Sequence, residues 1–534
     1  MALSRLSVLS EAFFSEQGFV GHHVESYNYF LQKGLQKVVD EVGAIEPLVF
    51  PPGYDSYRLK FGKIRILPPV AREADGSSSM LYPMEARIRQ LTYSVPLQVE
   101  IIPEGNGTPM ESIWTEIGSM PLMVKSERCI LNGLSNDELI EFGEDPYDPG
   151  GYFIINGTER VLMTIEDLLP NVPLVERPKS GTAEQAARIF SEVPGFRVPH
   201  LFERRKDGVL YVSWARVPRV PVAIVLKAMG LKSDQAIASA ISEDPDFIED
   251  LMVNLEVLEE INSREDALDF VGKKVKVGQG SEYRISRARY LIAKYLLPHI
   301  GREESDNKTK ILYLGMVAEK LLKLHHGKHV EDDKDHYGNK RLKLAGELME
   351  QLFRAAFKTL ANDMQYSFER VVKRGHEPSP ATIVRSQLLT SRIESAMATG
   401  YWIGGRTGVA QHLQRLNYFD TVSHLRRVMS PLASSQPHFE ARELHPTQWG
   451  KLCVAETPEG SNIGLRKNLA LFAKASSISD SNDAMKAIKW AIREGKKSLR
   501  QTKAKPKPAT PSKPAKSSTS TKAKKTSAKK GGKK

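Results

Sequence analysis

Arg426 and Arg427 close the segment TVSHLRR (Thr421–Arg427), directly after the hydroxyls of Thr421 and Ser423 and the imidazole of His424. A guanidinium is a planar fork of donors matched to phosphate oxygens, so this pair can hold a phosphodiester backbone. Gln411, in TGVAQHL (Thr407–Leu413), and Asn417 add neutral donors that bond backbone or ribose without choosing a base. Singly, an arginine pair is more often a solvated face or a structural ion pair. A second constellation follows ELHPTQWGKLC (Glu443–Cys453), in AETPEGSNIGLRKNLAL (Ala455–Leu471). There Glu456 and Glu459 flank Thr457-Pro458, with Gly460 and Gly464 close by. Proline fixes one backbone angle and glycine permits a sharp turn, so the loop is a rigid carrier of two carboxylates. Such a loop can orient basic groups or approach a metal-bound nucleotide. Paired carboxylates also do general acid/base work in glycosidases, but nothing else in the chain supports a sugar site.

Two further clusters invite a metal. LHHGKHVEDDKDHYGNKR holds His325, His326, His329, Asp332, Asp333, Asp335 and His336, yet it has neither HExxH nor the glycine and distal glutamate of a calcium loop. A polar loop leading into the helix after Asn339 is the expected reading. EDPDFIED (Glu243–Asp250) crowds five carboxylates that can bind Mg²⁺, but suits a helix N-terminus, where the dipole favours acids. No GxxxxGK[ST] occurs, which excludes a P-loop ATPase. No metal ligand set and no catalytic residue is assigned.

The elements that must position these groups are mixed. Apolar residues Phe30, Leu31, Leu35, Val38 and Val39 recur at helical spacing, with Ser26 as a possible cap. Tyr57–Leu67 and Thr92–Ile102 alternate like strands, and GGYFIINGTERVLM predicts a hairpin turning at Asn156-Gly157. Pro221–Gly230 predicts a helix stopped by Gly230 in a left-handed cap, with Ser233-Asp234 starting the next. In Asn339–Leu360, Leu342, Ala345, Leu348, Met349, Leu352 and Ala356 share one helical face, a core-packing stripe. The fold class expected is α+β and multidomain, with mixed helices and antiparallel sheets.

A chain of 534 residues exceeds one ordinary core. Residues 496–534 carry 14 Lys, one Arg and no acid, while the whole chain is +12, so residues 1–495 sum to −3. The basic balance therefore belongs to the tail, and nucleic-acid contact in the body must come from local clusters. Four prolines and closely spaced like charges predict a disordered tail, after one short helix near 476–495. Only Cys129 and Cys453 occur, which excludes a disulfide framework or a four-cysteine zinc site and fits a reducing, cytoplasmic setting. No apolar run reaches the ~20 residues that span a bilayer, and the N-terminus lacks a signal-peptide pattern.

The motif order resembles the second-largest subunit of multisubunit RNA polymerases. SYNYF at Ser26, EARIRQLTYSVPL (Glu85–Leu97), IGSMPLMVKSERCIL (Ile117–Leu131) and PYDPGGYFIINGTERVLM (Pro146–Met163) resemble its protrusion. RVPVAIVLKAMGLKSDQAI (Arg219–Ile237) resembles its lobe, Asp332–Arg354 the return to the protrusion, and the stretch from Arg406 to Leu471 its fork. The domains implied are 1–165 (protrusion, first part), 166–330 (lobe), 331–400 (protrusion return), 401–475 (fork) and 476–534 (short helix and tail). The hybrid-binding, wall and clamp-reaching portions have no counterpart, as in the N-terminal piece of a subunit split in archaeal polymerases.

The resemblance implies that Gln411, Arg426 and Arg427 line the RNA–DNA hybrid, with Asn417 and His424 on the same wall. It implies that Arg442 faces template or RNA phosphate and that Glu459 lies near the incoming nucleotide. The reaction implied is in-line nucleotidyl transfer by two metal ions, with Mg²⁺ held mainly by the largest subunit. This chain would bind no cofactor, position nucleic acid, and be inactive alone. Expected partners are the largest subunit, a B′ chain, other polymerase subunits, the DNA template and the hybrid, with no membrane, in the cytoplasm at the nucleoid. The rival reading is a sequence-independent DNA-binding protein driven by its basic tail, whose affinity would fall steeply with salt.

Overall fold

A computed structural model describes residues 2–476 apart from 74, 180, 276, 277, 279 and 377, together with Lys489 and Arg493. The chain divides at Ser477, and the fold described below is that of the compact unit Met1–Ser477. The expected short helix and tail lie almost wholly outside the described residues. The first unit is α+β and multidomain, with helices packed on antiparallel sheets. No helix among the described residues is long and apolar enough to cross a membrane.

One hydrophobic core draws on two distant stretches, running from Val20 to Ile165 and again from Ala345 to Leu425. Strands Tyr57–Ile66, Ser94–Gly105 and Ile113–Pro121 pair antiparallel, with the central 94–105 strand buried along most of its length. The 29-residue helix Ala345–Lys373, ~44 Å long at 1.5 Å per residue, lies against this layer. Phe357 meets Phe61 and Phe353 meets Phe30, at ring-centroid separations of 5.2 and 6.3 Å. Close approach at the helix start requires glycine: a Cβ on Gly346 would fall 1.9 Å from the Ser26 carbonyl oxygen.

Two expectations are corrected here. Ser26 does not cap a helix; it is inside Gly21–Tyr29, and its Oγ accepts the Gly346 N–H at 3.0 Å. The 345–373 helix begins later than Asn339, because Lys340–Lys343 is a strand paired antiparallel with Thr164–Leu168. Leu342 thus belongs to that strand, opposite Glu166, and not to the helical stripe.

A second core runs from Val175 to Leu324 and closes on itself. Five antiparallel strands from Leu174 to Pro221 follow one another in chain order, and helices from Val222 to His325 cover them. Helix Val222–Ala228 is buried at every position, and Ser233 Oγ caps the next helix by accepting the Ala236 N–H.

Between the two cores lies a four-stranded sheet gathered from four chain segments: Lys340–Lys343, Thr164–Leu168, Arg427–Met429 and Arg466–Asn468, in that order. The 164–168 and 427–429 strands run parallel, and the other pairings are antiparallel. Beside it, hairpin Phe153–Ile155/Thr158–Leu162 takes Ala410–His412 as a third strand. These two small sheets carry the candidate site.

Candidate nucleic-acid interface

Pairing of Gln411 opposite Val161 fixes one end of the site. Its amide donates to the Gly408 carbonyl at 3.0 Å, and its Oε1 faces His424 Nε2 at 3.3 Å. The other ring nitrogen, Nδ1, accepts the Gln414 N–H at 3.2 Å, so Nε2 is the protonated position. His424 is buried, and burial, reinforced by nearby Arg427, lowers its pKa to about 4. It is a neutral imidazole that orients Gln411.

Asn417 starts helix Tyr418–Leu425, its Oδ1 accepting the Asp420 N–H at 2.8 Å. The helix delivers Arg426 and Arg427 to different surroundings. Arg426 is buried and donates to the carbonyls of Phe19, Ala470 and Leu471 at 2.9, 2.7 and 3.1 Å. Among the described residues Arg427 donates only to Gln414 Oε1, at 3.3 Å. Burial, then the neighbouring Arg466, lowers the pKa of Arg427, as expected where two cations share a site. Among the described residues neither Arg427 nor Arg466 forms an ion pair. Arg466 was not singled out from the sequence; its place in a short apolar-flanked run, GLRKNL, is the only local signal.

Arg442 does not join this group. Its guanidinium binds four carbonyls, those of Ser461, Ile463, Ser434 and Gln436, at 2.7 to 3.1 Å, and so straps the loop before it to the turn at 460–463. Gly464, at φ +70°, accommodates this strap, because a Cβ there would lie 2.1 Å from the Arg442 carbonyl oxygen. Glu459 is exposed at the start of that turn. Glu456 accepts from Ser423 Oγ, tying the second carboxylate of the loop to the 418–425 helix.

Beneath the site, consecutive residues of the 164–168 strand bind two sets of cations. Glu166 Oε1 takes Lys340 at 2.8 Å, and its Oε2 takes the Tyr337 hydroxyl at 3.0 Å and Lys467 at 3.4 Å. Asp167 takes Arg197, Arg406 (2.6 Å) and Lys343 (3.5 Å). Burial alone would raise both carboxyls, but the surrounding cations hold them below the usual carboxylate range. A cleft of about 560 Å³ opens above, lined by Arg406, Thr407, the 430–435 loop and Arg466.

The acidic and histidine-rich clusters partly converge elsewhere. Asp250, His325 and His326 place ligand atoms within 4.8 Å of one another. Asp250 does lie in the first turn of Ile248–Glu256, but it is buried, giving one oxygen to Arg204 and the other to His326. A guanidinium already balances this carboxylate.

Comparison with known proteins fits the arrangement. Residues 18–391 match the model for the RNA polymerase beta subunit, and residues 411–475 that for RNA polymerase Rpb2, domain 3. The chain belongs to the RNA polymerase beta subunit family and is a second-largest subunit of the DNA-directed, nucleotidyl-transferring enzymes. It is 48% identical over 489 residues to the DNA-directed RNA polymerase subunit Rpo2N of Methanocaldococcus jannaschii, covering 90% of this chain and 97% of that one. The Rpo2N of Halobacterium salinarum is 45% identical over 91% of this chain and 94% of its own. The subunit Rpo2 of Saccharolobus solfataricus is 46% identical over 87% of this chain but only 41% of its own length. Within the family the chain therefore corresponds to the N-terminal half of a divided second-largest subunit.

Proposed function

We propose that this chain positions the RNA–DNA hybrid and the downstream strands beside the active centre of an assembled RNA polymerase. The observation that carries the reading is the pair Arg427 and Arg466, two half-buried guanidinium groups that form no ion pair among the described residues, next to Gln411 and its orienting His424. Cations held together at a cost in mutual repulsion favour a polyanion that enters between them. Gln411 and Asn417 would bond backbone or ribose; Arg426 and Arg442 act by shaping the wall and its loop. Glu459, exposed at the turn, would face the incoming nucleotide.

Glu456 accepts from Ser423 Oγ, and Glu459 is exposed at its turn, so in this reading both would shape the loop and neither would hold the metal. The metal would belong to the largest subunit, and the isolated chain would be inactive. A B′ chain would supply the remainder of the divided subunit, and the complex would work in the cytoplasm at the nucleoid. In domain terms, residues 166–330, which hold the second core, would be the lobe, residues 1–165 and 331–400, which supply most of the first, the protrusion, and residues 401–475 the fork. The rival reading rests on the tail, whereas the family matches cover residues 18–391 and 411–475.

The test is an assembled polymerase carrying Arg427→Ala and Arg466→Ala. Its elongation complexes should dissociate at lower salt, with a log–log salt slope smaller by roughly two phosphate contacts. An unchanged slope and unchanged complex lifetime would remove the reading.

A further inference from the structure

The histidine- and acid-rich run from His325 to His336 supplies nothing to the interface, and its members go separate ways. Asp332 pairs with Lys320, and Asp333 with His445. His325 and His326 instead close the 19-residue helix Asn307–His325, where they meet Asp250 from the first turn of Ile248–Glu256. One ligand atom from each of the three lies within 4.8 Å of the others. The end of a helix that carries the imidazoles is also the end whose dipole favours a cation. Phe247 is fully buried and packs 5.1 Å from the His326 ring, which fixes that imidazole.

Charge and hydrogen bonding leave room for a positive ion. Arg204 does not serve Asp250 alone: it donates to Asp250 Oδ1 and to Glu184, each at 2.9 Å. Two carboxylates sharing one guanidinium leave a net negative charge beside the imidazoles. Lys328, over the Phe247 ring, is taken up by Asp244 and Asp246. Gln185, opposite Arg204 in the sheet, is 6% exposed and brings its Nε2 to 3.4 Å from His325 Nδ1. Its Oε1 is buried and has no hydrogen-bond partner among the described residues. A buried acceptor left unmet is costly, and here it borders the ligand cluster. Two imidazoles and a carboxylate suit zinc-type ions, whereas Mg²⁺ and Ca²⁺ take oxygens. A tetrahedral ion with bonds of ~2.1 Å sets its ligand atoms ~3.3 Å apart. His326 Nε2 and Asp250 Oδ2 are 2.7 Å apart, so they need open by only roughly half an ångström.

We infer that Asp250, His325 and His326 bind one divalent transition-metal ion of the zinc class, with a water in the fourth position donating to Gln185 Oε1. The ion ties the ends of two helices to the sheet that carries Gln185 and Arg204, and so braces the second core. The site shares no residue with the nucleic-acid interface, and it is independent of the polymerase reading.

The experiment takes the full chain, purified without a histidine tag, stripped with a chelator and then dialysed with Zn²⁺. One zinc per chain should remain, counted by elemental mass spectrometry, and the melting temperature should rise when zinc is present. His325→Ala removes a ligand that makes only the 3.4 Å contact to Gln185, so without metal it should melt as the unaltered chain does. It should bind zinc at least about tenfold more weakly and show no thermal shift. Gln185→Leu, which offers the water no acceptor, should weaken zinc binding by about tenfold. His329→Ala, in the same run, should change neither binding nor melting. Co²⁺ in place of Zn²⁺ should give the intense visible bands of a four-coordinate ion in the unaltered chain and not in His325→Ala. Zinc lost on dialysis, or retained equally by His325→Ala, would mean adventitious binding only and would overturn the inference.

Discussion

Arg426 and Arg427 are neighbours in the chain with opposite employment: the first gives its guanidinium to three backbone carbonyls, the second to a single side-chain oxygen at 3.3 Å. Arg426→Ala would leave buried carbonyls without a donor and should cost on the order of 3 kcal/mol, read by thermal or denaturant unfolding. Arg427→Ala should barely move the unfolding midpoint but shorten the lifetime of assembled elongation complexes. If both variants lost stability equally, the division of labour would be wrong.

Glu166→Gln removes the charge that balances Lys340 and Lys467 in a buried setting. Breaking one side of a buried pair is costly, so a loss of about 3 kcal/mol is expected in denaturant unfolding. The linkage has a definite sign. The folded carboxyl sits below its ordinary range, so its contribution is present above the unfolded pKa and is lost as pH falls through the folded one. The variant should therefore lose less stability on acidification than the unaltered chain.

Gly464→Ala places a Cβ against the Arg442 carbonyl and should free the strapped loop. Limited proteolysis between residues 430 and 463 should accelerate in this variant and in Arg442→Ala. Cleavage elsewhere should keep its rate, since Arg442 binds only carbonyls of this region.

His424 carries a pH dependence of its own. Its folded pKa of about 4 lies below the ordinary 6.5, so unfolding takes up a proton between these values. Stability from its burial is complete above pH 6.5 and falls as pH drops toward 4. His424→Gln should flatten the unfolding midpoint across that window. His23 and His200, also lowered to about 4, retain their shares.

Local features were legible because local residues determine them. The 153–162 hairpin turns where expected, with Asn156 and Gly157 at φ 48° and 74°, which glycine and asparagine tolerate best. Ser233 starts its helix for the same kind of reason. The central sheet was not legible: its strands are three to five residues long, and no local pattern encodes Thr164 opposite Val428. The site shows the same division. Residue type identified Arg426 as phosphate-compatible and the family resemblance pointed Arg442 at phosphate, but only burial and reach reveal that backbone carbonyls occupy them. Arg466 escaped notice because its neighbourhood with Arg427 is created by that sheet.

The same sheet sets a timetable for the ribosome. Residues 175–324 hold all the partners of their own core and can consolidate while later segments are still being translated. The 164–168 strand must wait for residues 340–343 and then 427–429, and the 427–429 strand in turn for 466–468. Until then its two acids, Glu166 and Asp167, lack most of their counter-ions. Loop closure over such spans is slow, so the nascent chain should stay chaperone-dependent until its 466–468 strand emerges.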